Sequence, residues 1–177
     1  HQDAEVVAVG GQGQSLAGRL RAGVGSARVL GAGGSGAQPQ AQGGQGMAKA
    51  VHMMVRVLNE ERSVSFYSKA FGLEIADRYD FADFTLIYLR NAEADFEVEL
   101  TVNKGRADPY ELGNGYGHLA VVVDDLEATR ARIAELGYFP KDIKQMVFKE
   151  KPFGRFFFIE DPDGYKIEVL ERGGRFK

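Results

Sequence analysis

Two stretches of this chain carry the same order of patterns. Each opens on a strand that begins with a histidine, continues into a helix, and ends in two or three further strands, with a glutamate in the last. In the first stretch, about 51–103, His52 opens VHMMVRVL and Glu99 lies in VELT. In the second, about 117–171, His118 opens HLAVVV and Glu168 lies in IEVL. Histidine and glutamate are separated by 47 residues in one and 50 in the other. A repeat of this size constrains the fold more than any average property, because each copy is a supersecondary unit that must bury its apolar face against a neighbour. The expected class is α+β. Two βαβββ repeats join into a curved, barrel-like mixed sheet around a cavity, with the helices outside.

Local signals support each element. Asn59 suits a helix N-cap, and Gly72 a left-handed terminus, which predicts a helix over 60–71 with Val64, Tyr67 and Phe71 on one side. Strand patterns follow at 73–80, 84–90 and 95–102. In the last of these Glu97, Glu99 and Thr101 share one face, and Phe96, Val98 and Leu100 the other. In the second copy Asp124 or Asp125 caps a helix over 126–136. The strand RFFFIE then leads through the tight turn Asp161-Pro162-Asp163-Gly164 to a last strand at 165–171. Residues 138–153 are poorly patterned, with one weak strand near 146–149.

The repeat accounts for residues 47–177 only. Residues 1–46 hold 13 of the 23 glycines and none of the 19 Phe and Tyr residues. The stretch GAGGSGAQPQAQGGQG is too poor in apolar side chains to offset the entropy of ordering it. It reads as a disordered leader, tag or upstream extension, and an interaction tail is the rival reading. The repeat-bearing domain has 19 Lys and Arg against 23 Asp and Glu, which argues against a nucleic-acid partner. No apolar run approaches the length of a membrane helix. With no cysteine in the chain, disulfides, thiolate metal sites and cysteine nucleophiles are excluded.

Histidine chemistry in the domain therefore rests on His52 and His118. Two imidazoles with the carboxylates of Glu99 and Glu168 make a nitrogen and oxygen donor set for a divalent ion of the zinc, nickel, cobalt or manganese type. Each residue alone reads as an ordinary strand residue; the repeated placement is what favours a metal site. Glu97 and Glu171 have no counterpart in the other copy and are assigned to solvent. Arg56 shares the His52 face and is either an exposed strand cation or an anion clamp. Asn103 extends the Glu99 face and is either a turn former or a hydrogen-bonding residue for substrate.

The motifs HMMVRV, SVSFYSKAFGLEI, VELTVN, YELGNGYGHLAV and DPDGYKIEVLE resemble the glyoxalase I (lactoylglutathione lyase) family of the vicinal oxygen chelate superfamily. The likeness covers about residues 51–171. It implies His52, Glu99, His118 and Glu168 as metal ligands, with Glu168 the main catalytic base and Glu99 the second catalytic carboxylate. It places Arg56 and Asn103 against the γ-glutamyl end of glutathione. The implied reaction isomerises the hemithioacetal of methylglyoxal and glutathione to S-lactoylglutathione. A homodimer with shared sites and a cytoplasmic location follow from the same resemblance.

Two departures bear on these expectations. Where the family commonly has a Gly/Lys-rich loop, residues 140–155 read PKDIKQMVFKEKPFGR, leaving Lys141, Lys144, Lys149, Lys151 and Arg155 as candidate cations. Asn114 stands where some members carry arginine. Histidine rather than glutamine at position 52 resembles the nickel- or cobalt-preferring type, with zinc the alternative. Competing readings on the same scaffold are an acyl-CoA epimerase, a lyase using another thiol, a ring-cleaving dioxygenase and a small-molecule binding or resistance protein.

Overall fold

The computed structural model of the chain describes residues 47–177 and the backbone of a three-residue strand, β1 (Glu5–Val7). The rest of the expected leader lies outside the described residues. The first repeat runs β2 (His52–Arg56), α1 (Glu60–Phe71), β3 (Glu74–Asp80), β4 (Phe84–Arg90) and β5 (Glu97–Asn103). The second runs β6 (Leu119–Val123), α2 (Leu126–Glu135), β7 (Lys144–Phe148), β8 (Lys151–Glu160) and β9 (Lys166–Glu171). The βαβββ order thus appears twice, as the sequence repeat requires.

Each repeat makes its own mixed sheet. The first has the order β2-β5-β4-β3; in the second, β6-β9-β8-β7 is extended by β1. Each repeat's first strand lies parallel to its last, β2 on β5 and β6 on β9, because the helix crosses over between them. The other pairings are antiparallel. Among the described residues no strand of one sheet pairs with the other, so no barrel closes within one chain. Among the described residues β2 and β6 each end a sheet with one edge unpaired.

The helix signals act as anticipated. The Asn59 side chain accepts from the Arg62 amide at 2.8 Å, and Gly72 ends α1 at φ 64°, a conformation that costs a residue without Cβ little. Asp125 caps α2 in the same way, through the Ala128 amide. The buried face of α1 differs from the expected one. Ser63, Phe66, Tyr67 and Ala70 are buried, and Phe66 meets Tyr67, Phe71 and Tyr138 edge-on. Phe66 lies off the expected stripe and is buried because Tyr138 of the second repeat packs against it.

One core serves both repeats. Val55, Ile87, Leu89, Val98 and Leu100 of the first sheet and Phe157, Ile159, Ile167 and Val169 of the second belong to a single apolar cluster with both helices. Strand alternation then sends the intervening side chains to the opposite face of each sheet, which is where the candidate ligands lie.

The turn between β8 and β9 fastens the repeats together. Buried Asp161 accepts from the amides of Asp163 and Tyr165 and from the Tyr67 hydroxyl of α1 at 3.0 Å. Asp163 accepts from the Leu58 amide at 3.1 Å, from Arg62 at 3.0 Å and from the Ser63 hydroxyl at 3.2 Å. Burial pushes the Asp161 carboxyl above its ordinary range. Burial, and then the Asp161 charge, pushes the Tyr67 phenol well up. Arg132 of α2 adds a second clasp by donating to the carbonyls of Lys69 and Ala70 at the end of α1.

Candidate functional site

The parallel pairing of β2 with β5 sets Met54 opposite Glu99 and leaves His52 two residues back on the same face. The pairing of β6 with β9 sets Ala120 opposite Glu168, and His118 stands two residues back in the same way. Equal register gives equal geometry. His52 Nε2 lies 3.1 Å from Glu99 Oε2, and His118 Nε2 lies 3.1 Å from Glu168 Oε2. The imidazoles are 39% and 41% exposed, while the carboxylates are only 10% and 13% exposed. Each half therefore sets a shielded anion beside an accessible nitrogen, as a cation site approached from one side requires.

The separation suits neighbouring donors of one ion. Two ligands at right angles, each about 2.1 Å from a metal, stand about 3.0 Å apart. The donor set contains nitrogen and carboxylate oxygen without sulfur, which fits borderline divalent ions. The structure brings His52 to Glu99 and His118 to Glu168. Among the described residues of one chain it gathers no cluster of three or more such groups.

The surroundings of the two pairs match in outline and differ in chemistry. Tyr88 stands opposite Glu99 across β4 and β5, and Phe158 stands opposite Glu168 across β8 and β9. Tyr88 meets His52 edge-on with centroids 5.8 Å apart, and Phe158 meets His118 likewise at 5.4 Å. Thr101 Oγ1 donates to Glu99 Oε1 at 3.3 Å. The Tyr88 hydroxyl belongs to the residue directly across from Glu99, and burial, then hydrogen bonding to this carboxylate and its charge, push the phenol up to about 12. Sequence reasoning passed over Tyr88, although an aromatic precedes the glutamate by 11 residues in one repeat and by 10 in the other.

The other candidates fall on the same faces or close to them. Arg56 ends β2 opposite Thr101 and is exposed. Asn103 ends β5, and its Nδ2 donates to the Tyr110 hydroxyl at 2.9 Å, so the following loop holds it in place. Of the five cations named in 140–155, Lys141 lines a cleft of about 490 Å³ with His118, Phe158 and Lys166. Arg155 is instead engaged by Glu127 and Glu171. Lys144, Lys149 and Lys151 are exposed on the hairpin of β7 and β8. Glu97 and Glu171, assigned to solvent, are each held by an arginine: Arg90 at 3.6 Å and Arg155 at 2.8 Å.

The sequence profile of the glyoxalase/bleomycin resistance protein/dioxygenase superfamily matches residues 49–169. The chain belongs to this superfamily. A probable lactoylglutathione lyase of Synechocystis is 33% identical over 129 residues, covering 71% of this chain and 96% of the relative. A probable chloroplastic lactoylglutathione lyase of Arabidopsis thaliana is 34% identical over 133 residues, and the match spans 70% of this chain but only 35% of that longer protein. Among solved structures, the trypanothione-dependent glyoxalase I of Leishmania major superposes with a TM-score of 0.59 at 28% identity, covering 71% of this chain and 87% of that one. As a superfamily member the chain has the βαβββ scaffold, and its His–Glu pairs lie at corresponding positions of the two repeats. Among the described residues no helix is long and apolar enough to cross a membrane.

Proposed function

We propose that the protein is a metal-dependent lactoylglutathione lyase that isomerises the methylglyoxal–glutathione hemithioacetal to S-lactoylglutathione, removing methylglyoxal from the cytoplasm. The observation that carries this reading is the pair of equal His–Glu contacts, 3.1 Å each, at corresponding positions of the repeats. Relatives at this similarity that bear the name lactoylglutathione lyase support it.

His52, Glu99, His118 and Glu168 are the residues that would hold the ion, with nickel or cobalt favoured and zinc the alternative. A bound divalent ion supplies Lewis-acid polarisation of two adjacent oxygens, making the neighbouring C–H more acidic. Two copies of the chain complete the set in a homodimer, His52 and Glu99 of one facing His118 and Glu168 of the other. Both pairs are half open, His52 begins β2 and His118 immediately precedes β6, and among the described residues the outer edges of these two strands are unpaired, which supports this arrangement.

Glu168 acts as the base. Its carboxylate takes the proton from C1 of the hemithioacetal and returns it to C2, so the reaction is redox-neutral and needs no electron carrier. Arg56 binds the γ-glutamyl carboxylate of glutathione, and Asn103, held by Tyr110, hydrogen-bonds the adjoining amide group. Lys141, in the cleft beside His118, offers a cation to the carboxylate at the other end of the tripeptide.

The test is thioester formation from methylglyoxal and glutathione by protein loaded separately with nickel, cobalt, manganese and zinc, with other thiols in parallel. Turnover with glutathione and nickel or cobalt is the expected result. No turnover with any of the four metals overturns the proposal.

A further inference from the structure

The two carboxylates of the site are held to different degrees. Glu99 faces two hydroxyl donors, Thr101 two residues along its own strand and Tyr88 directly across from it. The matching positions around Glu168 are Leu170 and Phe158, neither of which has a hydroxyl group. Among the described residues, the side chain in polar contact with Glu168 is His118. Backbone register cannot produce this asymmetry, since register is the same in both repeats. It is a property of the side chains placed around two equivalent carboxylates.

We propose that Tyr88 and Thr101 are positioning residues that fix Glu99 as a stationary ligand, and that the apolar pair Phe158 and Leu170 leaves Glu168 free to swing and carry the proton. A carboxylate held by hydroxyl donors loses rotational freedom. One bordered by an aromatic edge and an aliphatic chain keeps it. The division of labour between ligand and base is thereby written into four residues that neighbour the two carboxylates. This rests on the function proposed above, and it concerns which of two equivalent glutamates moves.

The experiment measures nickel affinity by chelator competition, together with kcat and KM, in the full chain. Y88F/T101V is expected to weaken nickel binding at least about tenfold, the usual cost of losing the hydrogen bonds behind a ligand. T101S, which keeps the hydroxyl, should restore most of the loss seen in T101V. F158Y, which gives Glu168 the donor that Glu99 already has, is expected to lower kcat at least about tenfold while KM and nickel affinity stay within about twofold. A change confined to kcat is not what general destabilisation produces, and melting temperatures identify any variant that fails to fold. Unchanged nickel affinity in Y88F/T101V overturns the proposal, and so does an F158Y protein with wild-type kcat. Wild-type protein that binds nickel without turnover overturns the functional reading alone, since affinity still reports on Tyr88 and Thr101. Wild-type protein that binds no metal overturns both.

Discussion

The first repeat and the second build their His–Glu pairs to the same 3.1 Å and then surround them differently. The shared part is what backbone pairing dictates: a parallel first and last strand, a glutamate facing the middle of the edge strand, and a histidine two residues back. The divergent part is supplied by cross-strand neighbours, Tyr88 and Thr101 in one case, Phe158 and Leu170 in the other. A duplicated scaffold thus reproduces donor geometry automatically. It leaves the strength of each donor's anchoring to be set by single side chains, and chemistry that needs one fixed and one mobile carboxylate can be built on a symmetric frame.

Breaking that comparison most severely means exchanging the glutamates themselves. E168Q is expected to lower kcat by about a thousandfold while the protein retains metal and fold. E99Q is expected to show its largest loss in metal content. Equal losses of both quantities in the two variants would make the repeats functionally equivalent. The next effect in size concerns the clasp between the repeats. D163A removes the acceptor of three hydrogen bonds, from the half-buried Leu58 amide, the exposed Arg62 guanidinium and the hydroxyl of buried Ser63. Urea unfolding should show a loss of about 2–4 kcal/mol.

A smaller effect follows from titration. The folded protein holds the Tyr67 proton more tightly than the unfolded chain does. The stability this group contributes is therefore present below the ordinary phenol value of 10.0 and lost as pH climbs through the higher folded value. Melting temperature should fall with alkaline pH, and Y67F should flatten that fall; an unchanged slope would show that the folded protein holds the Tyr67 proton no more tightly than the unfolded chain. The smallest effect is expected from removing residues 1–46. This strips β7 of the three-residue partner β1, and the melting temperature should move by no more than about 2 °C, with activity unchanged. A larger drop would make β1 a working part of the second sheet, giving it a strand that the first sheet lacks.

Much of this was legible in the sequence because the signals were local. Asn59 and Gly72 announced the ends of α1, the pair Asp124 and Asp125 the start of α2, with Asp125 the residue that caps it, and alternation in FTLIYLR and DFEVELTV announced both strand and facing. The region 138–153 resisted for an equally local reason. Its hairpin turns on Lys149 and Glu150, both with positive φ (48° and 63°), where glycine or asparagine would have given the turn away. Strand β8 consequently begins at Lys151, earlier than the aromatic run RFFFIE indicated. The four candidate ligands were found by repetition, whereas Tyr88 and the Asp161 and Asp163 contacts were not. Their meaning depends on cross-strand register or on partners about 100 residues away, neither of which a linear pattern displays.

The clasp at Asp161 and Asp163 also changes what the connection between the repeats is for. The shared core, the Tyr67 hydroxyl and the Arg62 ion pair bind the halves through side chains, and the glycine-bearing loop from Lys104 to Gly117 adds Leu112 and Tyr116 to that core on either side of its Gly113–Gly115 turn. A protease cut at the Gly113–Gly115 turn should leave two fragments that travel as one particle on a sizing column. The same two pieces, expressed from separate reading frames, should find each other by complementation, so the domain behaves as a heterodimer whose partners happen to be translated in one polypeptide.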